Sequence, residues 1–199
     1  VRSRGLGDVY KRQALEVRGF LMEMFGATGA DRVVGDSVTA RRLLDLQAAS
    51  IEEGYRDRPE LRAEMMGVLA DGYDRLGLLD RAEPLAREAL ALRRESLDSR
   101  HPDVGASLGL LGWIRYERGA AAAAEPLLRE AVDIHRSAGG RHALDLSRSL
   151  NDLGLVLTEL GRLDEAEPIL DEALTIRRSS LGDTHRSVGV TAGNLAVLN

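Results

Sequence analysis

The chain has 199 residues, 44% of them hydrophobic and 30% charged, with a formal net charge of -5. That balance fits one folded domain or one extended array, and it lacks the basic stripe of a nucleic-acid binder. There is no cysteine and only 4% of residues are aromatic: disulfides and thiolate metal centres are excluded, and the core has to come from Leu, Ala, Ile and Val, which suits close helix packing better than a barrel or sandwich.

Residues 1–13 differ in character from the rest of the chain. They hold Lys11, the only lysine present, and "DVYKRQ" can be encoded by the transposase end sequence used in sequencing-library adaptors. This segment is read as a non-native assembly scar and set aside from fold reasoning; a frayed natural terminus is the alternative. Residues 14–59 read as N-terminal helices and a degenerate half-repeat. They comprise a short helix "ALEVRGFLMEMF" (14–25), a Gly-rich loop, and a helix over 38–55. No apolar run in the chain is long enough to span a membrane, and no signal-peptide pattern opens it.

From residue 60 onward the sequence repeats. The triplet Ala-Glu-Pro stands at Ala82–Pro84, Ala124–Pro126 and Ala166–Pro168, a step of 42 residues each time. In the same register Gly77, Gly119 and Gly161 form one column, and Leu69, Leu111, Leu153 and Leu195 another. Ala70, Gly112, Gly154 and Ala196 form a small-residue column, as do Ala89, Ala131 and Ala173. Small side chains at fixed places let two helices approach closely, and large aliphatic ones fill the gaps between successive pairs. Each unit reads as two helices joined by a glycine turn, with units 60–101, 102–143, 144–185 and a truncated 186–199. In the third unit Leu146, Leu150, Leu153 and Leu157 recur at spacings of three and four, one face of a helix. The second helix is predicted from Asp164 to about Leu181, with Asp164 and Glu167, like Asp80 and Glu83, at capping-box spacing. The last stretch, "TAGNLAVLN", stops inside a helical pattern. The fold class is therefore all-α, a solenoid of about three full helical hairpins with degenerate or truncated ends.

The columns "L-G…G…A…(L/V)" in a helix–turn–helix unit resemble the tetratricopeptide repeat. The longer period, with "SLNDLG", "AEP-L-EAL-I-R" and "LGDTHRSV", resembles its kinesin-light-chain-like subclass over about residues 38–199. The resemblance implies a right-handed superhelix whose first helices line a concave groove. Ala143 and Arg186 depart from the pattern where the family has proline, and "GAAAAAEP" lacks a polar cap. Upstream, "VRGFLMEMF" followed by "VTARRLLDLQAASIEE" resembles the C-terminal region of bacterial eukaryotic-like serine/threonine kinases. No Gly-rich loop with its catalytic lysine, HRD-type loop or DFG is present, so that resemblance concerns a parent polypeptide and not this segment's activity.

No nucleophile–base constellation is visible, and no catalytic, cofactor or metal residues are assigned. The histidines His101 and His185 share a turn column, with His142 one residue off it. Homologous positions in a stacked array do not converge on one point, so they read as turn residues, not ligands. The pairs Arg93–Arg94 and Arg177–Arg178 on second helices read as solvated convex faces, with ion pairing across units as the alternative. The groove is the candidate binding surface, through Trp113, Tyr116, Arg148, Asn151, Asp152, Leu155, Glu159 and Asn194. Trp113 either anchors a ligand or packs between units. Asn151 and Asn194 stand near the family's "NNLA" positions, which there contact peptide backbone; they either bind backbone here or bridge helices. Relatives that grip a terminal carboxylate use Lys and Asn columns. Here those columns hold Gly67, Gly109, Asn151, Gly193 and Asp71, Trp113, Leu155, Val197, so that clamp is not expected.

The function read from the sequence is a non-catalytic protein–protein interaction scaffold that holds a peptide or partner in the groove. The alternatives are the regulatory region of a serine/threonine kinase, or the sensor arm of a transcriptional regulator or signalling ATPase. No nucleic-acid, cofactor or membrane contact is expected. Self-association through exposed end units is open, since truncated arrays leave apolar faces uncovered. The expected compartment is the cytoplasm, or an extracytoplasmic space if a membrane helix precedes this segment.

Overall fold

The computed structural model describes residues 40–198. The segments 1–13 and 14–25, and with them the proposed scar, the short helix and the "VRGFLMEMF" part of the kinase-like stretch, lie outside the described residues. All regular structure among those residues is helical. The chain divides into two compact units, up to Ser96 and from Leu97 onward.

The first unit contains α1 (Ala40–Gly54), α2 (Pro59–Arg75) and α3 (Leu79–Ser96). Pro59 opens α2 at a position where its missing N–H costs nothing. Leu61, Met65, Met66, Leu69 and Tyr73 of α2 are buried, as are Ala82, Ala86, Ala89 and Leu90 of α3. The Tyr73 hydroxyl donates to Asp45 of α1 at 2.7 Å. Burial, followed by that carboxylate, pushes its pKa up to about 12. Arg62 on α2 pairs with Glu88 on α3.

The second unit contains α4 (Pro102–Glu117), α5 (Ala121–Ala138), a 3-10 turn (Gly140–His142), α6 (Ala143–Glu159), α7 (Leu163–Leu181) and α8 (Arg186–Ala196). Within it α4 pairs with α5 and α6 with α7, while α5 packs on α6 and α7 on α8. These are stacked hairpins around a core of Ala124, Leu128, Val132, Leu150, Leu153, Val156, Leu157, Ala166 and Ala173.

The 42-residue columns are contact positions. A Cβ on Gly112 would stand 2.8 Å from Cγ of Leu128, and one on Gly154 would stand 2.5 Å from Cγ of Leu170. Leu128 and Leu170 are themselves one period apart, so each hairpin seats a leucine of its second helix on a glycine of its first. In α2 and α3 the corresponding residues are Ala70 and Ala86, both buried; the pair changes from glycine–leucine to alanine–alanine.

The turns repeat too. Gly77, Gly119 and Gly161 have φ of 69°, 76° and 72°, the left-handed region open to glycine. The following N–H reaches back five residues in each case: Leu78 to Tyr73, Ala120 to Arg115 and Arg162 to Leu157, all at 2.9 Å. This double-bonded ending satisfies the last carbonyls of each first helix and turns the chain tightly into the second.

The starts of the second helices differ from the sequence expectation. Asp164 lies inside α7, whose cap residue Arg162 makes no side-chain cap bond. Asp80 likewise lies in the first turn of α3. Carboxylates in a first turn favour the helix dipole. The prolines Pro84, Pro126 and Pro168 sit inside their helices, where each lacks an N–H for the carbonyl four residues back.

Candidate functional site

The first helices α4 and α6 of the second unit send one stripe inward and leave another outside the hairpin core. On α6, Leu150, Leu153, Val156 and Leu157 are buried. Arg148, Asp152, Leu155 and Glu159 stand three and four residues apart on a different face, and each is exposed or half-buried. On α4, Trp113 stands one period before Leu155, and Gly109 and Tyr116 lie one turn to either side of it; all three are half-buried. The two rings lie with centroids 5.4 Å apart at 43°.

This layer is the tighter of the two. Helices α4 and α6 make more extensive backbone contact than α5 and α7 do, and a Cβ on Gly109 would stand 3.7 Å from Ser149 Oγ of α6. The second helices are bridged instead by long side chains. Arg129 of α5 meets Glu165 of α7 at 3.0 Å, and Arg136 meets Glu172 at 2.8 Å. Arg162 meets Glu125, which Arg129 also holds at 3.0 Å. Burial pushes the Glu125 carboxyl upward, but its bonds to Arg129 and Arg162 outweigh that and bring its pKa below the usual carboxylate value.

Behind the stripe runs a buried polar seam. Asn151 is 5% exposed. Its carboxamide oxygen accepts from the Thr191 hydroxyl at 3.0 Å and the Asn194 amide at 3.1 Å, both on α8. Its nitrogen donates to Asp152 at 3.2 Å. Asn151 thus bridges α6 and α8 and holds Asn194 against them. Thr191 in turn accepts from Arg177 of α7, whose guanidinium also donates to the Ser187 carbonyl at 3.1 Å.

Arg177 corrects the sequence expectation of a solvated convex pair. It is 8% exposed, and burial lowers its pKa against the pull of Asp152. Its neighbour Arg178 is exposed. One period earlier stands His135, 3% exposed. Its Nδ1 is 3.1 Å from Ser149 Oγ, and its Nε2 is 3.2 Å from the Pro102 carbonyl. A carbonyl only accepts, so Nε2 carries the proton and Nδ1 accepts from the serine. His135 and Arg177 therefore make the same link, from a second helix to a hydroxyl of the next first helix fourteen residues later. Sequence reasoning missed it. The signal was the basic column Arg93, His135, Arg177 read against the hydroxyl column Ser107, Ser149, Thr191.

The remaining histidines are helix starts. Nδ1 of His101 accepts the Asp103 N–H at 3.2 Å, and Nδ1 of His185 accepts the Ser187 N–H at 3.2 Å. Among the described residues no group of His, Asp or Glu converges to hold a metal ion, and no helix is long and apolar enough to cross a membrane.

Stacked helical hairpins with glycine turns and a repeating small-residue seam define a helical-repeat protein. The tetratricopeptide-repeat profile matches residues 61–137 and 145–199, more than half of the sequence. The chain belongs to the tetratricopeptide-repeat family, whose fold builds protein–protein interaction scaffolds and is typically non-catalytic. Among solved structures it is similar to the nearly identical TPR-like repeats of a Podosopora anserina kinesin light chain. The identity is 24% and the TM-score 0.63, over 78% of this chain and 74% of that one; a singly substituted form of that protein gives a TM-score of 0.65. It is also similar to BtubC (BKLC) from P. vanneervenii, at 25% identity and a TM-score of 0.64, over 81% of this chain and 66% of that one. No curated protein sequence matches it.

Proposed function

We propose that the first-helix face of the second unit binds an extended peptide or a partner helix. The observation that carries this reading is the stripe itself. Leu155, Trp113 and Tyr116 are apolar or aromatic, half-buried and outside the fully buried hairpin core, and they are flanked by Arg148, Asp152 and Glu159. Rigid aromatic anchors beside charged groups are the composition of a binding hot spot. In this reading Asn151 and Asn194 shape the floor, because Asn151 already spends its carbonyl on α8. The partner's apolar side chains take up Leu155 and the two rings, and the charges fix its direction.

Selection of displayed peptides on the full chain tests the proposal. Selected peptides should lose about 1–3 kcal/mol of binding on Trp113→Ala or Leu155→Arg. Arg136→Ala, on the second-helix layer, should leave them unchanged. Peptides indifferent to the first two variants and weakened by the third would reverse the assignment.

A further inference from the structure

We propose that the cavity between the C-terminal ends of α4 and α6 receives an arginine side chain of the partner, an inference that rests on the groove reading above. The cavity has a volume of about 450 Å³ and is lined by Tyr116, Glu117, Gly119 and Glu159. That is within the range of small-ligand sites.

Each wall favours a planar cation. Tyr116 presents a half-buried ring that Trp113 backs at 5.4 Å, and an aromatic face attracts a guanidinium laid over it. Glu117 and Glu159 are exposed and form no ion pair among the described residues. The glutamates between the second helices behave differently, since Glu125, Glu165 and Glu172 are each held by an arginine of this chain. Both cavity carboxylates act on Tyr116: burial raises its pKa first, then the charges of Glu159 and Glu117 raise it further. The end of α4 adds the negative pole of its dipole. Gly119, at φ 76°, has no atom within 4 Å of where a Cβ would stand, so the turn leaves the cavity open on that side. Among the described residues no basic side chain lines it. The two carboxylates repel an anion and attract a cation. A guanidinium can stack on Tyr116 while donating paired hydrogen bonds to a carboxylate. The position also fits the stripe, because Glu159 is its last member on α6.

Trp113 is the only tryptophan in the chain and touches the Tyr116 ring, so its fluorescence reports on the cavity. The probes are acetyl-Gly-Gly-Arg-Gly-Gly-amide and its citrulline counterpart, which keeps the shape and removes the charge. The full chain should give a saturable fluorescence change with the arginine peptide, with the citrulline peptide about tenfold weaker or worse. The E117Q/E159Q double variant, with its far-UV circular dichroism unchanged, should weaken the arginine peptide by a similar factor. Tyr116→Leu, which keeps both carboxylates, should weaken it as well. Equal binding of the two peptides, an arginine response unaffected by E117Q/E159Q, or no saturable response up to millimolar peptide would each overturn the proposal. Groove-selected peptides separate the two readings. If they respond to Leu155→Arg but not to E117Q/E159Q or to arginine-to-citrulline exchange, the cavity assignment fails and the groove stands. If Leu155→Arg has no effect, the groove reading itself fails.

Discussion

Gly154 and Gly109 are both helical glycines of first helices, yet they answer to different forces. At Gly154 a methyl group would sit 2.5 Å from Leu170 Cγ, a branch point and not a flexible tip. The two helices of that hairpin would have to move apart. At Gly109 the nearest atom would be 3.7 Å away, an ordinary contact. Gly154→Ala should therefore cost about 1–3 kcal/mol, whereas Gly109→Ala should gain about 0.5–1 kcal/mol from reduced backbone freedom. Chemical denaturation of the two variants checks both signs. His135 allows a prediction in pH. Burial pushes its pKa below the ordinary 6.5, helped by His142 and Arg148 and opposed by Asp145 and the Pro102 carbonyl. The folded state thus holds its proton less tightly than the unfolded state. The stability this contributes is full above about pH 6.5 and is lost as pH falls through the folded pKa. Gln can donate to Pro102 and accept from Ser149 without titrating. His135→Gln should therefore flatten the fall in Tm between about pH 7 and pH 5; an unchanged slope would mean that other groups carry it.

Among the elements, α8 shows best how one helix is held to the next. It has few buried side chains, Val188 and Thr191, and much of its attachment is polar. Arg177 and Asn151 both converge on the Thr191 hydroxyl. Thr191→Val keeps the shape and removes the hydroxyl, leaving buried donors and an acceptor less satisfied. It should cost about 1–3 kcal/mol and speed amide exchange across residues 186–196. Pairing it with Arg177→Met should recover part of that loss, because the stranded charge goes with its partner. The hairpins themselves were legible in the sequence. Periodic leucines and turn glycines placed α6 within one residue of its observed end, and α7 within one residue of its start. The polar seam was not. It depends on a side chain from one unit meeting a hydroxyl of the next, and residue-by-residue inspection ranks Arg177 as a surface cation. The cap of α7 was misjudged for a related reason: Asp164 has the right spacing to Glu167, but the cap position is Arg162, two residues earlier, whereas α4 and α8 are capped by histidines.

At the scale of the molecule the repeat explains both what is stable and what is left over. Glycine–leucine seams fix the two hairpins of the second unit, and its second helices are laced by arginine–glutamate pairs. The first-helix stripe uses few of its groups internally. Its members were named from the 42-residue register, since positions that miss the core follow once the core columns are known. Glu117 stands one period before Glu159 and so falls in the same register; which glutamates are held by an arginine of this chain was not readable, because that depends on which arginines the fold brings near. Binding, on this reading, takes place at that stripe. Hydrogen–deuterium exchange of the full chain, with and without a peptide selected on it, tests this most directly. Slowed exchange should fall on residues 109–117 of α4 and 148–159 of α6, with α5 and α7 unchanged. Protection confined to α5 and α7 would place the partner on the opposite layer and contradict the account.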